Sequence, residues 1–190
     1  MCLNESIPTE TKLKFVDRVL AMLELDTIGG FIVGNDTGEL SFEQKKRLSI
    51  AVELALNPSC IFLNEPTLGL GARAASVVMR SLRRIDNLVI AVVATVHQPS
   101  VAIFNSFDSL LLLKRGGETI FFGELGNESY NLIEYLESYP ATAQIKKGEN
   151  PATWMLITIS ASSVGSAGDS FDYANAYACS PLAIDCVTKK

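Results

Sequence analysis

The stretch from Cys60 to Val96 restricts the fold more than any other part of the chain. Cys60–Asn64 is a short apolar run closed by Glu65-Pro66, and Leu88–Val96 is a second, valine-rich run. Between them Ala75, Val78, Leu82 and Ile85 recur at helical spacing, with Arg73, Arg80, Arg83 and Arg84 on the other side. Strand, helix and strand this close together form a βαβ unit, and the crossover makes the two strands parallel. Leu88–Val96 is also the longest apolar run, far short of the ~18 residues that a membrane-spanning helix needs. The chain is therefore expected not to cross a bilayer on its own.

Around this unit the pattern is mixed. Lys12–Leu25 reads as an amphipathic helix with Val16, Val19, Leu20 and Leu23 inward. Gly29, Gly30, Gly34 and Gly38, with Asn35 and Asp36, then break regularity. A second helix starts near Ser41 and stops before Asn57-Pro58, with Leu48, Ala51, Val52 and Ala55 as its apolar positions. Asp108–Leu113 and Glu118–Phe122 flank Lys114-Arg115-Gly116-Gly117, a hairpin pattern. Tyr130–Tyr139 returns to helical spacing through Leu132, Tyr135, Leu136 and Tyr139. Beyond Ile159 the sequence becomes rich in Ser, Ala and Gly, and residues 158–190 are expected to be an unassigned, poorly ordered tail.

Charge and composition exclude several classes. The 190 residues are 48% hydrophobic and 19% charged, too apolar for a disordered chain. The net charge of −5 argues against a nucleic-acid partner. Four cysteines without a C-x-x-C, and no leader-like opening, fit a reduced setting. A single histidine, His97, excludes any site needing two.

Ligands of parallel sheets bind at the carboxyl ends of the strands. Glu65 and His97 each follow a βαβ strand, so a carboxylate and the only imidazole come to one rim, a plausible proton-handling pair. The plainer alternative is that Glu65 closes a turn before Pro66 and His97 is a loop residue with ordinary partners. Ser41-Phe42-Glu43-Gln44 matches the capping box, which by itself stabilises a helix start by about 1 kcal/mol. Lys45, Lys46 and Arg47 follow in the first turn, where cations oppose the helix dipole, so an anion nearby would relieve them. A capped helix start with a hydroxyl, an amide and three cations can also receive phosphate.

Taken in order, Leu40-Ser41-Phe42-Glu43-Gln44, Ile61-Phe62-Leu63-Asn64-Glu65-Pro66-Thr67 and Thr95-Val96-His97-Gln98-Pro99-Ser100 resemble three motifs of ABC-transporter ATPases. These are the signature motif, the Walker B strand with its following glutamate, and the switch histidine; the intervals between them also fit. Lys114–Gly117, Phe122–Gly126 and Asn150–Leu156 resemble the pleiotropic drug resistance branch of the G subfamily, and the LSxEQ variant resembles its second nucleotide-binding domain. The resemblance covers roughly residues 10–157. It implies an α/β fold, a partial P-loop NTPase (ABC ATPase) with a parallel βαβ core and a helical signature subdomain. Residues 1–157 would be part of a nucleotide-binding domain of a drug-exporting transporter.

The resemblance also implies ATP and Mg2+ as cofactors, and as partners a second nucleotide-binding domain and the transporter's transmembrane domains. The chain would then be membrane-associated on the cytoplasmic side through the transporter. Ser41, Phe42, Glu43 and Gln44 would face a nucleotide held by the partner domain, and Gln98 and Asn64 would lie near nucleotide. Glu65 would polarise the attacking water, and His97 would hold that water and the γ-phosphate.

Several positions depart from the family pattern. No G-x-x-x-x-G-K-[ST] phosphate loop occurs, no glycine is followed by lysine, and a Q-loop upstream of the second helix is lacking. Asn64 stands where the family's magnesium-orienting aspartate is expected, Gly71 where its D-loop aspartate is, and Leu68 in place of its serine. The expectation is the C-terminal part of such a domain, with a weakened metal position at Asn64 and, at the strands of Cys60 and Leu88, an apolar face or an unpaired edge left bare. ATP hydrolysis by this chain alone is not expected. The alternative function is a non-catalytic, degenerate ATPase module that acts by contact with another nucleotide-binding domain or a membrane subunit. A hydrolase built on Ser100 and His97 is disfavoured, since no G-x-S-x-G elbow is present.

Overall fold

The computed structural model describes residues 7–31, 33–34, 40–86, 90–164 and 171–188. The turn residues Asn35, Asp36 and Gly38 and the start of the second apolar run at Leu88 lie outside them. The chain divides into two compact units, Met1–His97 and Gln98–Lys190.

In the first unit α1 (Thr9–Met22) leads through a short 3-10 turn at Asp26–Ile28 to α2 (Phe42–Leu54), β1 (Cys60–Asn64), α3 (Ala72–Asp86) and β2 (Ala91–Thr95). β1 and β2 pair in parallel, with Cys60 opposite Ala91 and Asn64 opposite Thr95. α3 buries Ala75, Val78, Leu82 and Ile85 and turns its arginines outward, as the spacing predicts. Val19, Leu23, Ile50, Leu54 and Ile61 complete this core. Parallel strands are ordinarily covered on both faces. Here the second face is open among the described residues: Phe62 is 79% exposed and Val93 50%.

The buried stripe of α2 differs from the one expected. Arg47, Ile50, Ala51 and Leu54 face inward at i, i+3, i+4 and i+7, while Val52 is exposed. The displacement follows from Arg47, whose guanidinium donates to the carbonyls of Leu23 (2.7 Å) and Glu24 (3.1 Å) and pairs with Glu43 (3.1 Å). Hydrogen bonds of that kind let an arginine occupy a core position that hydropathy assigns to an apolar residue.

The second unit contains α4 (Val101–Phe104), the hairpin β3 (Ser109–Leu113) and β4 (Thr119–Glu124), α5 (Tyr130–Glu137), α6 (Pro151–Val164), α7 (Tyr173–Ala178) and α8 (Pro181–Thr188). The strands pair antiparallel, and the turn between them needs positive φ at both Gly116 (103°) and Gly117 (87°), a conformation that side chains resist. Leu132 and Leu136 of α5 are fully buried with Phe104, Ile120, Phe121, Trp154 and Met155.

Over the described residues of 158–190, 158–164 and 171–188, the expectation of a poorly ordered tail is corrected. α6 continues to Val164, and α7 and α8 are helical. Tyr173 is only 3% exposed, and rings of Phe171, Tyr173 and Tyr177 meet Tyr135 and Tyr139. The Ser/Ala/Gly composition conceals these aromatics, which supply the apolar area that orders the segment.

Asp172 fastens α7 at its start. It accepts from Lys114 Nζ (3.2 Å) and from the N–H groups of Ala174 (3.2 Å) and Asn175 (3.3 Å), and Lys114 also pairs with Glu118. The hydrogen bond from Lys114, then that from Asn175, hold its carboxyl below the ordinary carboxylate range. A lowered folded-state pKa contributes stability above the unfolded-state value and loses it as pH falls through the folded one. Acidification below the ordinary carboxylate range should therefore deprotect the α7 amides before those of β4. Hydrogen exchange checks this, and Asp172→Asn should remove the acid dependence.

Candidate functional site

Candidate residues Ser41 through His97 all lie in the first unit, and Gln98 opens the second. Parallel pairing brings the ends of β1 and β2 side by side, so Glu65 and His97 both emerge at the carboxyl edge. The Glu65 N–H extends the ladder past β1 by donating to the Thr95 carbonyl (3.2 Å) and to its Oγ1 (3.0 Å). The Thr95 hydroxyl in turn donates to Asn64 Oδ1 at 2.7 Å. One hydroxyl thus organises both residues at the strand end. Thr95 carries no charge and is an ordinary strand residue; it opens the segment that resembles the switch motif, but its bond to Asn64 is not legible there.

Glu65 and Gln98 adopt left-handed backbone conformations, with φ of 47° and 44°. For residues with a Cβ this costs on the order of 1–3 kcal/mol, and such strain gathers at functional turns. Glu65 is half-buried, while Asn64, His97 and Gln98 are exposed.

At the start of α2 the capping box is complete. Ser41 Oγ accepts from the Gln44 N–H (3.1 Å), and Gln44 Oε1 accepts from the Ser41 N–H (2.8 Å). The cap leaves the Ser41 hydroxyl proton free to donate. Phe42 is 59% exposed, and its ring edge lies 3.4 Å from where a Cβ on Gly69 would sit. α2 therefore starts beside the turn that follows Glu65.

Lys45, Lys46 and Arg47, the fourth to sixth residues of α2, do not form one phosphate cradle. Arg47 is spent on Leu23, Glu24 and Glu43, which also removes Glu43 as a free carboxylate. Lys46 is directed to backbone carbonyls of the Glu65 turn. What remains for an anion is the exposed Lys45, the Ser41 hydroxyl, the Gln44 amide group and the unpaired N–H groups of the helix start.

A divalent cation fits poorly. Asn64 offers a neutral amide oxygen that already accepts from Thr95, whereas magnesium favours carboxylates. Among the described residues no group of three or more His, Cys, Asp or Glu gathers to hold a metal. Gly71, whose carbonyl accepts the first backbone bond of α3 from Ala75, has open space around a would-be Cβ. Nothing steric excludes aspartate there.

No family model matches the chain. Over 155 residues it is 54% identical to ABC transporter G family member 48 of Oryza sativa subsp. japonica, a match covering 81% of this chain and 10% of that protein. G family member 40 of the same organism is 49% identical over 181 residues, 95% of this chain and 12% of the relative. A match of that extent reaches into residues 158–190. G family member 36 of Arabidopsis thaliana is 51% identical over 156 residues, 81% of this chain and 11% of the relative. The chain spans about a tenth of the length of the curated relatives it matches.

Among solved structures, an ATP-binding cassette of an ABC transporter in its ADP conformation aligns with a TM-score of 0.54 at 25% identity, over 72% of this chain and 50% of that one. cbiO1 from Clostridium perfringens, part of the ABC transporter complex cbiONQ, aligns with a TM-score of 0.54 at 25% identity, over 82% of this chain and 57% of that one. The fold is that of an ABC ATPase domain.

Proposed function

Homologues of this chain are ABC transporter G family members at about half identity over most of its length, and from that premise we propose that it is the signature-to-switch portion of a nucleotide-binding domain in an exporter of the pleiotropic drug resistance type. The sequence relatives and structural neighbours together support an ABC transporter nucleotide-binding domain. The single observation that carries the finer reading is the carboxyl edge of β1 and β2, where Glu65 and His97 emerge together and the capped start of α2 adjoins the Glu65 turn.

In this reading the Ser41 hydroxyl and the α2 N–H groups donate to the γ-phosphate of an ATP held mainly by a second nucleotide-binding domain. Glu65 accepts a hydrogen bond from the attacking water, and His97 holds that water and the γ-phosphate. Phosphoryl transfer of this kind depends on positioning and charge, with little covalent work for the protein. When bound, magnesium would neutralise developing phosphate charge, and Asn64 is a weak ligand for it. Transmembrane domains of the same transporter are the proposed second partner and the source of membrane association. Among the described residues no helix is long and apolar enough to cross a membrane. The bare face of β1 and β2 supports contact with further protein, and it equally suits the second reading, a degenerate module that binds other subunits without turnover.

Substitutions at Ser41 separate capping from phosphate contact. The assay is ATP turnover by a G family transporter whose corresponding segment is exchanged for these 190 residues. Ser41→Ala should lose about 1 kcal/mol of stability together with turnover. Ser41→Asp keeps a good cap but sets a carboxylate against phosphate, so stability should persist while turnover falls at least about a hundredfold, ~2.7 kcal/mol of barrier. Turnover equal to the parent in Ser41→Asp would reduce Ser41 to a cap.

A further inference from the structure

Lys46 is the fifth residue of α2, one turn past its cap at Ser41. Its ammonium leaves the helix for a neighbouring turn. Lys46 Nζ donates to the carbonyl of Leu68 at 2.7 Å and to that of Glu65 at 3.1 Å, and sits 5.4 Å from the centre of the Phe42 ring. Those two carbonyls bracket the tight turn that follows β1, in which the Leu68 N–H also donates to the Glu65 carbonyl at 3.1 Å.

Glu65 stands at a φ of 47°, a conformation that persists only when the surroundings over-determine it. Its amide side is fixed by Thr95, through both the carbonyl and Oγ1. Its carbonyl side is fixed by Leu68 and by the Lys46 ammonium. Hydrogen bonds from a charged donor are stronger than neutral ones, and a single ammonium can bridge two acceptors. Of the contacts that hold Glu65, the one from Lys46 comes from the helix that begins at Ser41.

We infer that Lys46 is a positioning residue: its ammonium locks the Glu65–Leu68 turn onto the N-terminal part of α2, so that the helix capped by Ser41 sets the direction of the Glu65 side chain. The catalytic half of this inference rests on the proposed function, since Glu65 must act in turnover for its direction to matter. The mechanical half concerns only this chain. A displacement of α2 would pull on both carbonyls and re-aim Glu65, which couples the two motifs through the Lys46 side chain.

Two variants test both halves. Lys46→Met keeps the aliphatic stem and removes the charge, while Lys46→Arg keeps a cationic donor. In the 190-residue chain, hydrogen exchange at the Leu68 amide should accelerate at least about tenfold in Lys46→Met. Lys46→Arg should stay within about twofold of the parent, and the α3 amides should be unchanged in both. In the exchanged transporter, Lys46→Met should lower kcat about tenfold with KM for ATP unchanged, and Lys46→Arg should recover most of it. Unchanged Leu68 exchange in Lys46→Met overturns the inference whatever the turnover. Faster exchange with unaltered kcat overturns the positioning role, provided Glu65→Gln still abolishes turnover. If Glu65→Gln is also without effect, the catalytic reading itself fails and the positioning role falls with it, while the exchange result reports that the lock is real.

Discussion

Replacing Asn64 by aspartate is expected to raise ATP turnover at least about tenfold, or ~1.4 kcal/mol of barrier, in the exchanged transporter. The carboxylate can accept the same hydrogen bond from Thr95 that the amide accepts at 2.7 Å, so the strand end need not rearrange. What changes is formal charge beside the phosphate region, where a hard cation prefers a carboxylate to a neutral amide. Electrostatic stabilisation is commonly the largest contribution to such reactions, so the defect at Asn64 should dominate even with Glu65 intact. Glu65→Gln in the Asn64→Asp background should abolish the gain. Phosphate release from the parent, each single variant and the double variant decides the matter. Equal rates for the parent and Asn64→Asp would remove Asn64 as a weakened metal position.

Tyr173→Ala should destabilise the second unit by about 3–5 kcal/mol, as truncation of a large buried aromatic does. The ring is nearly inaccessible and meets Phe171 edge-on at 4.8 Å and Tyr139 at 5.9 Å, while its hydroxyl lies 2.8 Å from Thr142 Oγ1. Tyr173→Phe separates the two contributions, because it keeps the ring and should cost only about 1 kcal/mol for the lost hydrogen bond. Urea unfolding followed by amide exchange in β4 and α5 measures both. A negligible cost for Tyr173→Ala would mean that α7 is loosely attached.

Elements whose order comes from local pattern were legible in the sequence. β1 and the buried face of α3 follow from apolar spacing, and the hairpin from its paired glycines. Readings that depended on a distant partner were not. The inward face of α2 shares only Ala51 with the apolar spacing, because Arg47 reaches carbonyls of Leu23 and Glu24, which no periodicity contains. α7 was overlooked because the preceding small residues lowered the hydropathy around Phe171, Tyr173 and Tyr177. At the candidate site, residue types and spacing identified Ser41, Asn64, Glu65 and His97. Thr95 stands in the quoted switch segment and Lys46 among the cations of α2, but the role of each depends on partners far away in sequence and is not legible there.

The placement of the aromatic residues makes the two units optically unequal. All five tyrosines and the single tryptophan of the chain fall between Gln98 and Lys190, and Trp154 shares a core with Phe121 and Tyr173. Excitation near 280 nm therefore reports on the second unit alone, whereas the unit carrying Ser41, Asn64, Glu65 and His97 has only phenylalanine as an intrinsic chromophore. A fluorescence melt can stay unchanged while the candidate site unfolds. A tryptophan introduced at exposed Val52 of α2 would give that unit an emission of its own.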